Sequence, residues 1–200
     1  MISLAPFFFS LAVFPNLHGQ TGLKIAYIRA SCKRVCKRLN VTLISTGSPT
    51  GNYGITNIFS SSPILNNVTI YAAGRISQGI SNGFNSNPVL NNVNISAYSD
   101  PRFAQNDVAE GIANSGSSPK LNNVTIKAYG GNIDNIGIIN VSDYTGDSFP
   151  IIVNSNISAT VGIYSGGSSI FNSIIDGTIS GGTKCVNVID SSFNQINCQP

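Results

Sequence analysis

An octet that the chain writes several times constrains its fold more than any other feature. Pro63-Ile-Leu-Asn-Asn-Val-Thr-Ile70 returns as Pro88-Val-Leu-Asn-Asn-Val-Asn-Ile95 and as Pro119-Lys-Leu-Asn-Asn-Val-Thr-Ile126. Looser copies are Pro150-Ile-Ile-Val-Asn-Ser-Asn-Ile157 and Phe171-Asn-Ser-Ile-Ile175. Taking the polar residue just before each inward apolar pair gives one column: Asn40, Asn67, Asn92, Asn123, Asn154, Asn172 and Asp190. Its intervals are 27, 25, 31, 31, 18 and 18 residues. A fixed word at variable spacing marks a solenoid whose loops differ in length.

A second column runs beside the first. Gly54-Ile-Thr-Asn57, Gly79-Ile-Ser-Asn82, Gly111-Ile-Ala-Asn114, Gly137-Ile-Ile-Asn140 and Gly162-Ile-Tyr-Ser165 are one strand written five times. Each coil therefore carries at least two short strands. Period-two alternation sends Ile55, Val68 and Ile70 inward and Thr56 and Thr69 outward. Asn suits both columns, because it tolerates the left-handed backbone of a tight corner and its amide can bond the same amide one coil away. The first-column amides are expected to be interior and inaccessible. The Asn-x-Ser/Thr words at Asn40, Asn67, Asn94, Asn123, Asn140 and Asn156 then read as by-products of the repeat.

The Gly-Ile-x-Asn and Ser-Pro-x-Leu-x-Asn-Val-Thr-Ile words resemble right-handed parallel β-helix proteins of the pectin-lyase-like group. They are most similar to the β-helix repeat proteins of bacterial surfaces, over about residues 40 to 198. The resemblance implies an all-β, right-handed parallel β-helix of about seven coils with Asn ladders. Leucine-rich repeats need several Leu per unit, and after Leu43 the chain has Leu65, Leu90 and Leu121 alone.

The segments before residue 40 read differently. Residues 1–20 hold an apolar run from Leu4 to Phe14, too short to span a bilayer. It reads as the hydrophobic part of a signal peptide cleaved after Gly19, although no Lys or Arg precedes it. Residues 21–39 place Ile25, Ile28, Cys32, Val35 and Leu39 on one stripe, which predicts an amphipathic helix capping the open end of the solenoid. Six of the eleven basic residues lie there, whereas from Leu39 onward five basic face eight acidic residues, a net of −3. That balance excludes nucleic acid as a partner of the repeats. Cys185 and Cys198 flank the last coil and form a candidate terminal disulfide, which fits an oxidising compartment.

Sites for chemistry are sparse. The galacturonan hydrolases of the resembling group carry Asn-Thr-Asp, Gly-Asp-Asp, Gly-His-Gly and Arg-Ile-Lys words, none of which occurs in this chain. The outward row of the second column, Thr56, Ser81, Ala113, Ile139 and Tyr164, holds no acid, base or metal ligand. Asp100, Arg102, Asp107 and Glu110 are the densest charge cluster of the repeats and the candidates if the chain is an enzyme. Asp143 and Asp147 form a thin candidate for calcium, which needs more oxygen ligands than that word supplies. No other cofactor is implied. Tyr98 and Tyr129 follow Asn92 and Asn123 by six residues, so two rings share a row on neighbouring coils and are the candidate ligand platform. These residues point to a secreted or cell-surface scaffold for adhesion or carbohydrate contact, with a polysaccharide or surface glycan as partner. A polysaccharide lyase or hydrolase, and a structural segment of a fibre or phage-tail-like assembly, are the alternatives. Oligomeric state is not readable.

Overall fold

In a computed structural model of the chain, residues 11–12, 27–28, 41–46, 51–100, 107–164 and 166–198 are described. They form strands β1 (Leu11–Ala12), β2 (Tyr27–Ile28), β3 (Val41–Thr46), β4 (Asn52–Asn57), β5 (Ile64–Asn66), β6 (Val68–Gly74), β7 (Ile76–Gly83) and β8 (Val89–Ser99). Then follow β9 (Val108–Ser115), β10 (Lys120–Tyr129), β11 (Asp134–Val141), β12 (Ile151–Val153), β13 (Asn156–Tyr164), β14 (Ser168–Phe171), β15 (Ile174–Ile179) and β16 (Thr183–Val186). No helix occurs among the described residues.

Apart from the β1–β2 pair, the strands stack in parallel, each on its counterpart one coil away, and wind into a solenoid with three faces. Face one consists of β3, β6, the second half of β8 and of β10, the first half of β13, and β15. Face two consists of β4, β7, β9, β11 and the second half of β13. Face three consists of β5, the first halves of β8 and β10, β12, β14 and β16. The Pro-x-Leu-Asn word is thus a third strand of the coil, separate from the Asn-Val-x-Ile strand that follows it.

Each face contributes a column of large aliphatic side chains to the interior. Leu43, Ile70, Ile95, Ile126, Ile157 and Ile175 align on face one. Ile55, Ile80, Ile112, Ile138 and Ile163 align on face two. Leu65, Leu90, Leu121, Ile152, Ile170 and Cys185 align on face three. Nearly all are sealed from solvent and form one continuous core. Each such side chain contributes about 1.5–3 kcal/mol of burial, which is why β-branched residues recur at these positions.

Glycine opens the face-two word because the core leaves no room for a Cβ. At Gly54, Gly79, Gly111 and Gly137 a Cβ would lie 2.2–2.3 Å from the Cγ2 of Ile70, Ile95, Ile126 and Ile157. It would also lie 2.5–2.6 Å from the carbonyl oxygen of the next glycine in the column. The face-one isoleucines reach across the solenoid into this gap.

The two Asn columns differ from each other in a way that corrects the sequence reading. Asn67, Asn92, Asn123, Asn154 and Asn172 have φ of 47° to 55° and make the one-residue corner between faces three and one. Their side chains are exposed, not interior. Asn123 donates to Asn92 at 2.7 Å and Asn92 to Asn67 at 3.1 Å. The expectation that these amides are inaccessible therefore fails for Asn67 and Asn123. The column also ends on Asn187, not Asp190: Asn187 has φ 53° and donates to Asn172 at 3.0 Å. The last coil is three residues shorter than expected, and Asp190 instead closes its own turn by accepting from the backbone of Ser192 and Asn194. Asn40 lies outside the described residues.

The interior ladder is the other column. Asn57 donates to Asn82 at 2.8 Å, Asn82 to Asn114 at 2.9 Å, Asn114 to Asn140 at 2.9 Å, and Asn140 to the Ser168 hydroxyl at 3.1 Å. These asparagines are almost completely buried. A serine column runs beside it, in which the Ser61, Ser86 and Ser117 amides donate to the Ser86, Ser117 and Ser148 hydroxyls at 3.0–3.1 Å. Buried polar atoms in such a stack are tolerated because they find partners one coil away; the Asn57 Oδ1, on the first described rung, is the exception.

Of the segment expected to be a capping helix, Tyr27–Ile28 are described and form a strand, with Ile28 paired to Ile55 and Tyr27 to Ala12. The remainder of that segment, and of residues 1–20, lies outside the described residues. At the other end Ile196 bonds back to Val188, and Cys185 and Cys198 are disulfide-linked with Cα atoms 5.4 Å apart.

Candidate functional site

The outer surfaces of faces one and two carry the side chains available for contact. On face one, Tyr98 and Tyr129 occupy paired positions of β8 and β10, with ring centroids 5.1 Å apart and planes tilted by 37°. The register places Ala73 opposite Tyr98, so the row continues onto β6 as a small residue. Tyr71, two residues earlier on β6, hydrogen-bonds Tyr129. Burial raises the pKa of the Tyr71 phenol, and the neighbouring Tyr129, Tyr98 and Asp100 groups raise it further. Three phenols thus gather on one outer face, beside the buried Asp100, with Tyr129 the most open of the rings. Aromatic faces joined to hydroxyl tips suit ligands that are both apolar and hydrogen-bonding.

Two described members of the third-coil charge cluster, Asp107 and Glu110, do not share a site. Asp107 and Glu110 lie on opposite sides of their strand. Asp107 faces the interior with Ala109, fully buried, and neither of its carboxylate oxygens has a hydrogen-bond partner. Its backbone amide donates to Asn132 at 3.0 Å. Glu110 faces outward on face two, where it accepts from the Gln78 amide and where burial raises its pKa, an effect that bond partly offsets. Asp100 is buried at the corner beside Tyr71. Arg102 lies outside the described residues. Glycoside hydrolysis needs two carboxyl groups flanking one bond, about 5–9 Å apart, and a pair divided between the two sides of one strand does not supply them.

Glu110 and Gln78 border a groove of about 250 Å³ along face two, which Ser81, Ala113, Ser115, Ile139 and Val141 also line. One residue past Gly83 and Ser115 the chain turns the corner, and here a ridge of rings stands that the sequence reading missed. Phe59 and Phe84 stack with centroids 5.1 Å apart and planes within 10°. The next coil has Gly116 at that position, and Tyr144 takes its place with its ring 5.3 Å from Phe84.

Tyr144 is carried by the loop that holds Asp143 and Asp147. Asp143 accepts from the Thr145 hydroxyl and amide, from the Phe84 backbone and from the Ser115 hydroxyl at 3.2 Å. These bonds, the Thr145 hydroxyl foremost, hold its carboxyl below the usual carboxylate range. Asp147 accepts from Ser142. The loop is fastened by its own hydrogen bonds, and a Cβ at Gly116 (φ +56°) would lie 2.0 Å from the Asp143 carboxylate. Among the described residues no three His, Cys, Asp or Glu side chains gather where they could hold a metal ion. No described helix is long and apolar enough to cross a membrane.

Comparison of the chain with protein-family models, with curated proteins and with solved structures finds no match in any of the three. The parallel solenoid with its Asn ladders is therefore established by the geometry of this chain itself.

Proposed function

We propose that this chain is a secreted or surface-displayed scaffold that contacts carbohydrate without cleaving it. The observation that carries the reading is the tyrosine cluster of face one: two rings in register at 5.1 Å with a third phenol bonded to Tyr129. A sugar ring lays its C–H face on such rings and its hydroxyls against the phenols. The division of Asp107 and Glu110 between the interior and the outer surface favours binding over hydrolysis. The Cys185–Cys198 disulfide and the sparsely charged exterior favour an oxidising compartment. The likeness of the repeated words to pectin-lyase-like proteins agrees with a polysaccharide partner.

The test is a polysaccharide panel read two ways on one sample, as binding and as release of new chain ends. Binding without new ends, weakened about tenfold by Tyr98→Ala with Tyr129→Ala, is the expected result. That loss corresponds to about 1.4 kcal/mol, within what two aromatic contacts supply. Release of ends, or binding indifferent to both tyrosines, defeats the reading.

A further inference from the structure

We propose that face two carries a second binding site, for an extended uncharged oligosaccharide lying along the strands from the Gln78–Glu110 edge to the Phe84–Tyr144 ridge. The proposal rests on the reading of the chain as a glycan scaffold, and it places its site on a different face from the tyrosine cluster.

Three features of the surface define this ligand. The first is shape. Gln78 and Phe84 stand six residues apart along the chain, about 20 Å of strand contour at ~3.3 Å per residue. Between them the outward residues are small: Ser81 and Gly83 on one coil, Ala113 and Ser115 on the next. The depression is about 250 Å³, below the ~300–1,000 Å³ of pockets that enclose a drug-sized molecule. It seats part of a chain, and the rest lies along open surface.

The second feature is the chemistry of the two edges. At one, the Gln78 amide and the Glu110 carboxyl are joined and half-buried, offering donors and acceptors to hydroxyl groups. At the other, the rings of Phe59, Phe84 and Tyr144 follow one another at 5.1 and 5.3 Å, with Tyr144 81 % exposed. A large exposed ring held in place by a fastened loop offers a flat apolar face to a partner. Ligands that touch both edges gain from linkage, since the second contact becomes intramolecular.

The third feature is charge. None of the described groove-lining residues is Lys or Arg. The ionisable groups are carboxyls, Glu110 within the groove and Asp143 bonded to Ser115 at its margin. Asp143 is held ionised and Glu110 is pushed toward its neutral form by burial. A polyuronate brought here meets like charge with no cation among the described lining residues to offset it, whereas a neutral chain does not.

Cellohexaose, hexagalacturonic acid and cellobiose, titrated calorimetrically into the full chain, test this directly. Cellohexaose is expected to bind at least tenfold more tightly than either of the others. Gln78→Ala and Tyr144→Ser should each weaken it about fivefold or more, and Tyr98→Ala with Tyr129→Ala should leave a cellohexaose site of unchanged affinity. Phe84→Ala is the stronger probe but disturbs the corner, so the exposed Tyr144 supplies the variant that leaves the fold intact. Tighter binding of hexagalacturonic acid, equal binding of cellobiose, or indifference to both face-two substitutions overturns the proposal. Cellohexaose binding lost only in the Tyr98/Tyr129 variant overturns it while sustaining the face-one reading. Failure of all three sugars to bind overturns the proposal, with the scaffold reading then judged by the polysaccharide panel.

Discussion

Asn82 donates its side-chain amide to Asn114 at 2.9 Å across one coil, and both residues are sealed inside the solenoid. Replacing Asn114 with Leu leaves the Asn82 donor and the Asn140 acceptor without their partners. Each stranded buried group costs about 1–3 kcal/mol, so a loss of about 2–6 kcal/mol is expected. Asn92→Leu, at the exposed corner, should cost less than half as much, mainly through its left-handed backbone. Urea midpoints of the two variants decide it; equal shifts would show that the buried column has no special role.

Gly111→Ala should be among the most damaging small substitutions. Its Cβ would lie 2.2 Å from Ile126 and 2.5 Å from the Gly137 carbonyl oxygen, and crowding of this kind costs about 1–3 kcal/mol even where side chains can move. Backbone on one side leaves little to move. Gly182→Ala, where the added carbon meets nothing within 4 Å, is the control and should be close to neutral by thermal melting.

Glu110 gives the stability of the chain a pH dependence of known sign. Its carboxyl is raised above 4.5 in the folded chain, chiefly by burial, so folding favours its neutral form. The stability that this group contributes is full below the unfolded pKa and falls as pH rises through the folded one. Glu110→Gln is therefore expected to stabilise relative to the parent chain at pH 7 and to gain less, or nothing, at pH 4. Denaturation of both proteins at the two pH values measures the difference, and a larger gain at pH 4 would contradict the environment described for Glu110.

Removing the terminal disulfide should act locally. Closing a loop of about 15 residues is worth about 3 kcal/mol in the chain-entropy view, and the Cys185–Cys198 separation is 13. Because each coil touches only its neighbours, Cys198→Ser should speed amide exchange in residues 183–198 while leaving β7 and β9 protected. Uniform loss of protection would mean that the coils unfold as one unit.

The repeated words disclosed the parallel stacking because the corner and core positions recur coil after coil. They also held more than was read from them. Asn57 shares the parity of Ile55, so its burial follows from strand alternation, whereas Asn67 sits at a left-handed corner where alternation breaks and its side chain turns outward. Phe59 and Phe84 stand 25 residues apart, the same interval as Asn67 and Asn92, and their stack was legible on that ground. Tyr144 was not, since it enters the ridge from a loop whose path depends on Gly116 and the bonds of Asp143. Tyr71 joins Tyr129 through a two-residue offset that only the register of β6 against β8 discloses. Asp190 stood at the expected interval, and a coil shortened by three residues moved the column to Asn187.

The 31-residue step from Asn92 to Asn123 and the 15-residue step from Asn172 to Asn187 close the same hydrogen-bonded corner. The solenoid thus keeps count by its columns and not by its contour length. Excising residues 93–123 would join Asn92 to Val124 with all three inward columns still in step, one storey shorter and otherwise unaltered. A molecule built this way is edited in whole storeys, and the material at its corners can be exchanged without renumbering what lies above or below.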